Sequence, residues 1–234
     1  MERSPVGVLL TGISPEFMID LKFNLKEDRP LTILCLGAHS DDIEIGCGGT
    51  ILRLINDYPG CRIHWVVFSA LGPRKSEAEK GANEFAGVEH IERLQLHEFA
   101  DGYMPYHGES VKRAFEALKQ TTSPDLIFTH TRDDAHQDHR LLLELTWNTF
   151  RDHLILEYEI PKYDGDLGRP NVFVPLESEF CEAKISKLLE CFATQRSKHW
   201  FDRNTFQALM RLRGMECCSK SGYAEAFYAR KMIL

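Results

Sequence analysis

The chain has 234 residues, of which 43% are hydrophobic and 27% are charged, a composition typical of a globular protein with a buried core. Its 28 Lys and Arg residues and 35 Asp and Glu residues give a net charge of −7, which disfavours a general binder of nucleic acid or of an anionic membrane surface. The apolar runs are broken by polar residues and are much shorter than the roughly 20 residues that a membrane-spanning helix needs. We therefore expect no membrane span and no nucleic-acid partner.

The N-terminus and the cysteines favour a cytoplasmic protein. The first residues lack the sustained apolar region and the small-residue cleavage site of a secretory signal. The seven cysteines are an odd number without a Cys-x-x-Cys pair, so we expect reduced thiols in a chain that is not secreted. Residues 1–28 carry no recognisable chemistry and are predicted to be an N-terminal arm, followed by one domain over residues 29–234.

Short β-rich runs alternate with longer helical runs in the first two-thirds of the chain, which is typical of parallel βα units. In chain order we predict a strand at 31–38, a helix at 51–58 capped by Thr50, a strand at 62–70, a helix at 74–86, a weaker strand at 90–99, a helix at 109–120, a strand at 125–130, a polar loop at 131–140 and a helix at 141–150.

The last third has a different pattern, with strands predicted at 154–161 and 171–176 around a Gly- and Asp-rich turn and helices at 179–194 and 205–213. No stretch rich in Pro, Gly or Ser divides the chain. We predict a Rossmann-like α/β fold, in which a mostly parallel sheet carries helices on both faces within a single domain. In such sheets, ligands bind beyond the carboxyl ends of the strands.

Two polar clusters follow predicted strands directly. The segment AHSDDIE at 38–44 follows the first strand, and HQDH at 136–139 follows the fourth. If these strands are neighbours in the sheet, the two segments converge. The sequence therefore predicts one cleft that contains several histidines and carboxylates.

These residue types fit a hydrolytic zinc site, in which three imidazole or carboxylate ligands leave a fourth position to water. His39, Asp42 and His139 supply that set, and a tight turn can aim His39 and Asp42 at one ion. Asp41 is then free to act as the base on a water whose pKa a metal lowers from about 15.7 towards 7. His136 is close enough in sequence to donate a proton to a leaving amine or to stabilise an oxyanion.

Two further carboxylates, Asp134 and Asp138, are candidates to orient these imidazoles. Imidazole and carboxylate ligands select weakly among divalent ions, so Fe²⁺ or another divalent metal stays open beside Zn²⁺. The other histidines are assigned to packing or surface positions, although His130 begins the second polar segment.

Other catalytic patterns do not match. A dinucleotide fingerprint beginning at Gly46 would need a glycine where Ile51 stands. The sequence contains neither a GxxxxGK[ST] phosphate loop nor a G-x-S-x-G nucleophile elbow. Cysteine nucleophile chemistry stays open on spacing, but no cysteine is next to a candidate base in sequence.

The motifs described above resemble those of the LmbE-like, or PIG-L, de-N-acetylase family. The family signature A-H-[PS]-D-D-x-E followed by Gly-Gly-Thr is AHSDDIEIGCGGT here, the signature H-x-D-H is HQDH, and a weaker R-x-x-E pattern is similar to residues 74–88. The resemblance covers residues 31–150. It becomes scattered afterwards, with Gln195 and the stretch YAEAF at 223–227 as remnants.

The resemblance implies a zinc-dependent hydrolase that removes acetyl from N-acetylglucosamine units. It implies zinc bound by His39, Asp42 and His139, Asp41 as general base, His136 as acid or oxyanion stabiliser, and Arg74 near the substrate.

We therefore expect a cytoplasmic, metal-dependent hydrolase that cleaves an N-acetyl group from an amino sugar or sugar conjugate, and a homo-oligomer stays open. Two alternatives stay open. One is an amidase for a different acyl group or a thiol-sugar conjugate, and the other is a metal- and glycan-binding relative without hydrolytic activity. The polar and aromatic segment 158–171 is predicted to contact the sugar, or else to form a hairpin or an oligomer contact.

Overall fold

A seven-stranded sheet forms the centre of the molecule in a computed structural model that describes residues 21–23 and 29–233. Its strands are β1 (Thr32–His39), β2 (Arg62–Ser69), β3 (Ile91–Leu96), β4 (Leu126–His130), β5 (Leu154–Tyr158), β6 (Val172–Pro175) and β7 (Ala224–Tyr228). They lie in the order β3-β2-β1-β4-β5-β7-β6. Strands β1 to β5 are parallel, and β7 is antiparallel to both β5 and β6.

Helices cover both faces of this sheet. They are α1 (Asp42–Asp57), α2 (Pro73–Ala86), α3 (Gly108–Thr121), α4 (Gln137–Thr149), α5 (Ser178–Cys191) and α6 (Arg203–Glu216), with short 3-10 turns at Met104–His107 and Ala193–Gln195. Among the described residues, every helix is too short or too polar to cross a membrane.

The alternation of side chains along β1 builds two apolar cores, because successive residues of a strand point to opposite faces. Ile33 and Cys35 belong to the core that includes residues of α1, α2, α5 and α6, whereas Leu34 and Leu36 belong to the core that includes residues of α3 and α4. The mostly parallel, two-faced α/β architecture predicted from the sequence is confirmed.

Two helices begin earlier than predicted. Helix α1 begins at Asp42, so Thr50 lies within the helix and does not cap it. Helix α4 begins at Gln137, so three residues of the HQDH motif lie on its first turn instead of in a loop. The glycines at 46, 48 and 49 have low helix propensity, but contacts with the rest of the fold override that preference.

The strand β7 is not indicated by the sequence, because AEAFY contains two alanines and a glutamate, which are uncommon in strands. It is nevertheless hydrogen-bonded on both sides, to β5 and to β6. The predicted arm at 1–28 lies mostly outside the described residues. Within it, the Phe23 backbone N–H donates to the Tyr58 hydroxyl at 3.3 Å.

Candidate active site

Both polar motifs lie at the carboxyl end of the sheet, on strands that are direct neighbours, because β1 pairs with β4. His39 ends β1, Asp42 begins α1, and His139 lies on the first turn of α4. His39 Nδ1 is 3.1 Å from His139 Nε2 and 3.3 Å from Asp42 Oδ2. His139 Nε2 is 3.4 Å from the same Asp42 oxygen. The three residues predicted as metal ligands therefore come together at one point.

Neighbouring carboxylates determine which ring nitrogen of each histidine faces this point. Asp134 Oδ2 is 2.8 Å from His139 Nδ1, so Nδ1 donates a hydrogen bond and the lone pair is on Nε2. His39 Nε2 lies 3.0 Å from Asp101 Oδ1 and 3.3 Å from Asp138 Oδ2, which leaves the lone pair on Nδ1. Carboxylates orient metal-ligating histidines in this way. Asp134 and Asp138 thus contact the two imidazoles, and their orienting role stays a prediction.

The donor set fits a divalent cation. Ligand atoms at about 2.0–2.1 Å from a tetrahedral zinc ion are about 3.3 Å from one another, close to the spacing of the two ring nitrogens and the carboxylate oxygen here. All three residues are at least nine-tenths buried, since His39, Asp42 and His139 are 6%, 4% and 2% exposed. When both rings are neutral, their lone pairs are directed at each other and repel, and a cation between them, either a proton or a metal ion, removes that repulsion.

The electrostatics of this point also favour a cation. Burial lowers the pKa of His39, but the charge of Asp42 and hydrogen bonds to Asp101 and Asp138 outweigh burial and raise that pKa well above its ordinary value. Burial lowers the pKa of His139 to about 3, which keeps its imidazole neutral. Burial opposes ionisation of Asp42, yet the nearby His139 and His39 hold its pKa well below the ordinary value. Neutral imidazole and carboxylate are the forms that bind metals, so Asp42 and His139 are in the binding form, whereas His39 gives up a proton when a metal ion binds.

Asp41 is adjacent to Asp42 but has a different partner. Its Oδ1 accepts a hydrogen bond from Arg74 Nη2 at 2.6 Å, and the residue is 4% exposed. Burial raises the pKa of the Asp41 carboxyl, and the Arg74 guanidinium opposes that rise. Arg74 also lies 3.4 Å from Asp101. The residue expected near the substrate therefore contacts the candidate base directly.

His136 lies immediately before α4, and its ring is beside both ligand histidines. The ring centroids are 4.8 Å from His39 and 4.6 Å from His139. Its Nδ1 accepts the backbone N–H of Asp138 at 3.3 Å, so the proton of the neutral ring is on Nε2. Burial lowers the pKa of His136. A neutral ring with an Nε2–H is suited to donate a hydrogen bond.

The sequence analysis missed two residues of this site. His130, assigned to packing, stacks on His139 with ring centroids 3.8 Å apart, and its Nε2 accepts the Ala38 backbone N–H at 3.0 Å. Its position at the end of β4 was the available signal. Asp101, which contacts His39, follows β3 in a loop without any motif, so nothing in the sequence distinguishes it.

Two residues of the segment 158–171, which is predicted to contact the sugar or to form a hairpin or an oligomer contact, have partners inside the fold. Tyr158 is fully buried and donates a hydrogen bond to the Leu36 carbonyl at 2.7 Å. Lys162 Nζ lies 3.1 Å from Asp134 Oδ1, on the carboxylate that orients His139. These two residues therefore contact β1 and the carboxylate that orients His139, on the side away from the ligand atoms. Tyr163 is largely exposed, at 65%, and Asp164, Arg169 and Asn171 are exposed as well.

A polar cavity of about 290 Å³ lies at the opposite end of the strands, lined by residues that include Arg62, His64 and Glu92. It contains none of the predicted site residues. Because His64 and Glu92 bond to each other at 2.9 Å, they do not form a free ligand set. The chemistry of the molecule is concentrated at the carboxyl end of the sheet.

The known proteins that are similar to the chain in sequence include two that are named as deacetylases. One is YaiS of Escherichia coli K12, named an uncharacterized deacetylase, which is 28% identical over 168 residues, 67% of this chain and 88% of its own length. The other is the diacetylchitobiose deacetylase of Thermococcus kodakarensis, 27% identical over 141 residues, 52% of this chain and 50% of its own length.

The fold is shared with solved deacetylases. It is also shared with GalB of Pseudomonas putida KT2440, a 4-carboxy-2-hydroxymuconate hydratase, which covers 87% of this chain and 98% of its own, with 16% identity and a TM-score of 0.69. A profile of the PIG-L family, described as GlcNAc-PI de-N-acetylase, matches residues 34–150, which is half of the chain. With both family motifs at one site and the profile spanning both, the chain belongs to the PIG-L family of de-N-acetylases.

Proposed function

We propose that the protein is a zinc-dependent hydrolase that removes the N-acetyl group from an amino sugar or a sugar conjugate. The observation that carries this proposal is the 3.1–3.4 Å mutual spacing of donor atoms from His39, Asp42 and His139 beside the buried carboxylate of Asp41. The description of the family profile and the named activity of the Thermococcus kodakarensis relative support the substrate class.

The proposed mechanism divides the work among these residues. His39, Asp42 and His139 would hold the ion. When bound, a divalent cation acts as a Lewis acid on the acyl oxygen and makes water a nucleophile at neutral pH. Asp41 accepts the proton of the attacking water as the new carbon–oxygen bond forms. A neutral His136 donates a hydrogen bond from Nε2 to the acyl oxygen. The proton that Asp41 has taken from water then passes to the leaving amine, directly or through His136, as the carbon–nitrogen bond breaks.

Arg74 has two roles in this proposal. Its guanidinium holds the Asp41 carboxylate in one orientation through the 2.6 Å hydrogen bond. With 19% of its side chain exposed, it also borders the space in which a substrate would meet Asp41. We propose that it contacts the sugar or the acyl group from this position.

The fold by itself does not fix the reaction, because a hydratase has the same fold. Release of acetate over a panel of N-acyl substrates tests the proposal: N-acetylglucosamine, diacetylchitobiose, an N-acetylglucosaminyl-inositol conjugate, and the same sugars with longer acyl groups. We expect acetate from at least one acetylated sugar and about one metal ion per chain by elemental analysis. Preference for a longer acyl group would indicate the amidase alternative, and bound metal without hydrolysis of any amide would indicate a non-hydrolytic relative.

A further inference from the structure

Helix α1, which carries Asp42 at its start, is interrupted at Cys47. The backbone of Cys47 has φ −141° and ψ 15°, outside the helical region. In an uninterrupted helix, the N–H of Gly49 donates to the carbonyl of Ile45, four residues earlier. Here both groups are bonded to side chains, and the short segment that begins with Asp42 has its own direction.

Two buried side chains from the last third of the chain occupy this break. Glu225, on β7, accepts the N–H of Gly49 at 2.9 Å and that of Thr50 at 2.6 Å. Lys184, on α5, donates to the Ile45 carbonyl at 2.6 Å and to Glu225 at 2.6 Å. The side chains of Lys184 and Glu225 are 4% and 3% exposed. The ion pair thus replaces one helical hydrogen bond. Glu225 is bonded to its donor, the N–H of Gly49, and Lys184 is bonded to its acceptor, the carbonyl of Ile45.

Two glycines fix the helix on either side of the break. A Cβ on Gly46 would overlap the ring of Tyr158, and one on Gly49 would overlap Leu176. This close packing brings the helix backbone against β5 and against the residue after β6. The two halves of α1 are therefore packed against different parts of the sheet, one on each side of the break.

A buried ion pair is an expensive means of holding a helix, because the loss of hydration offsets most of the attraction, and apolar side chains of similar volume often give equal or greater stability. The adjacent cavity is about 20 Å³, room for a single water molecule, so the pair does not line a ligand site. What the pair does provide is directional bonding to both ends of the break.

We propose that Lys184 and Glu225 are positioning residues for the metal site. By holding the break in α1, they set the direction of its first turn and with it the carboxylates of Asp41 and Asp42. They act through the backbone at Ile45 and Gly49 and do not touch the ion or the substrate. This inference rests on the proposed function, because it presupposes that Asp42 binds the metal.

The test compares Lys184→Met with a matched control, Arg213→Met. Arg213 forms a second buried ion pair with Glu159, at 2.8 Å and with both side chains 3% exposed, and neither residue bonds to α1. Each variant removes one buried cation and leaves one buried carboxylate. We expect both to melt at lower temperature than the wild type. Only Lys184→Met should weaken Co²⁺ affinity, by about 10-fold or more, with an altered Co²⁺ absorption spectrum.

Affinity is measured by competition with a chelator, well below each melting temperature. The double variant Lys184→Met/Glu225→Gln removes both charges, so it is the test if the single variant does not fold, and it should also bind Co²⁺ more weakly. Wild-type affinity in these variants, or an equal loss in Arg213→Met, would overturn the positioning role. If the wild type releases acetate while that role fails, the proposed function stands; if the wild type binds no metal, both fail.

Discussion

The residues before position 150 and those after it contribute to the site in different ways. Every proposed ligand, the proposed base and the proposed acid lie in the first part, which is also the part that the family profile matches. The last third supplies cations behind them, with Lys162 on Asp134 and Lys184 in the break of α1. We therefore expect the part with the family motifs to carry the reactive groups and the other part to fix their geometry.

The strongest way to break this comparison is to remove a ligand from the first part. We expect His139→Ala to lose nearly all bound metal and all turnover, because two donors alone do not make a hydrolytic zinc site. Elemental analysis of the purified variant measures the loss. The exposed His107→Ala is the control and should keep its metal. Full metal content in His139→Ala would contradict the ligand assignment.

Removing the proposed base separates chemistry from metal binding within the first part. Asp41→Asn should lower kcat by about 10²–10⁴-fold while the metal content stays unchanged, because the amide keeps the shape of the side chain but cannot accept the proton. The exposed Asp57→Asn on the far end of α1 serves as the control. Normal turnover by Asp41→Asn would show that another group is the base.

The support from the last third should have a smaller effect. Lys162→Met removes the cation beside Asp134, which orients His139, and we expect metal affinity to fall by up to about 10-fold with the fold intact. Lys187→Met removes a lysine from an exposed pair with Glu84 and should leave affinity unchanged. Equal affinities in the two variants would mean that Lys162 does not act on the site.

The smallest expected effect concerns Glu44, which is fully buried and whose carboxyl oxygens both lack hydrogen-bond partners among the described residues. Burial raises its pKa well above the ordinary 4.5. The folded protein therefore keeps a proton that the unfolded chain releases, so this group lowers stability progressively as pH rises above about 4.5.

Glu44→Gln has no such proton, so its melting temperature should match the wild type at low pH and exceed it by about 2–4 °C at pH 8, the equivalent of about 1 kcal/mol. Thermal melts of the metal-free proteins from pH 4.5 to pH 8 measure this difference. The exposed Glu79→Gln should show no such trend. If the difference in melting temperature between the wild type and Glu44→Gln stays the same from pH 4.5 to pH 8, the Glu44 carboxyl is charged in the core and the prediction is wrong.

The sequence indicated the parallel strands and the candidate reactive groups because both follow from local patterns. The apolar run of β1 ends at His39, and the run of β4 ends at His130, so the motifs had to emerge at the same edge once the two strands were neighbours. The family resemblance and the α/β fold are confirmed. The roles of His39, Asp42, His139, Asp41, His136 and Arg74 stay predictions, although the structure brings these residues together.

The parts that the sequence did not indicate depend on contacts between distant positions. Glu225 bonds to residues more than 170 positions earlier, and Lys184 to a carbonyl 139 positions earlier. Glu225 lies in the stretch YAEAF, which resembles a remnant of the family pattern, but nothing local indicates its partners, and no pattern marks Lys184. The early start of α1 has the same origin, because its glycines are stabilised in a helix by strands β5 and β7, which no local propensity reports.

The placement of β7 has a consequence for biosynthesis. This strand follows β6, α5 and α6 in the chain, yet it lies between β5 and β6 in the sheet. While a ribosome is still making α6, β6 has no strand to join, and the carboxylate that Lys184 needs does not yet exist. The nascent polypeptide can thus assemble its motif-bearing strands early, but it completes the bonds at the break in α1 only when translation has passed residue 228.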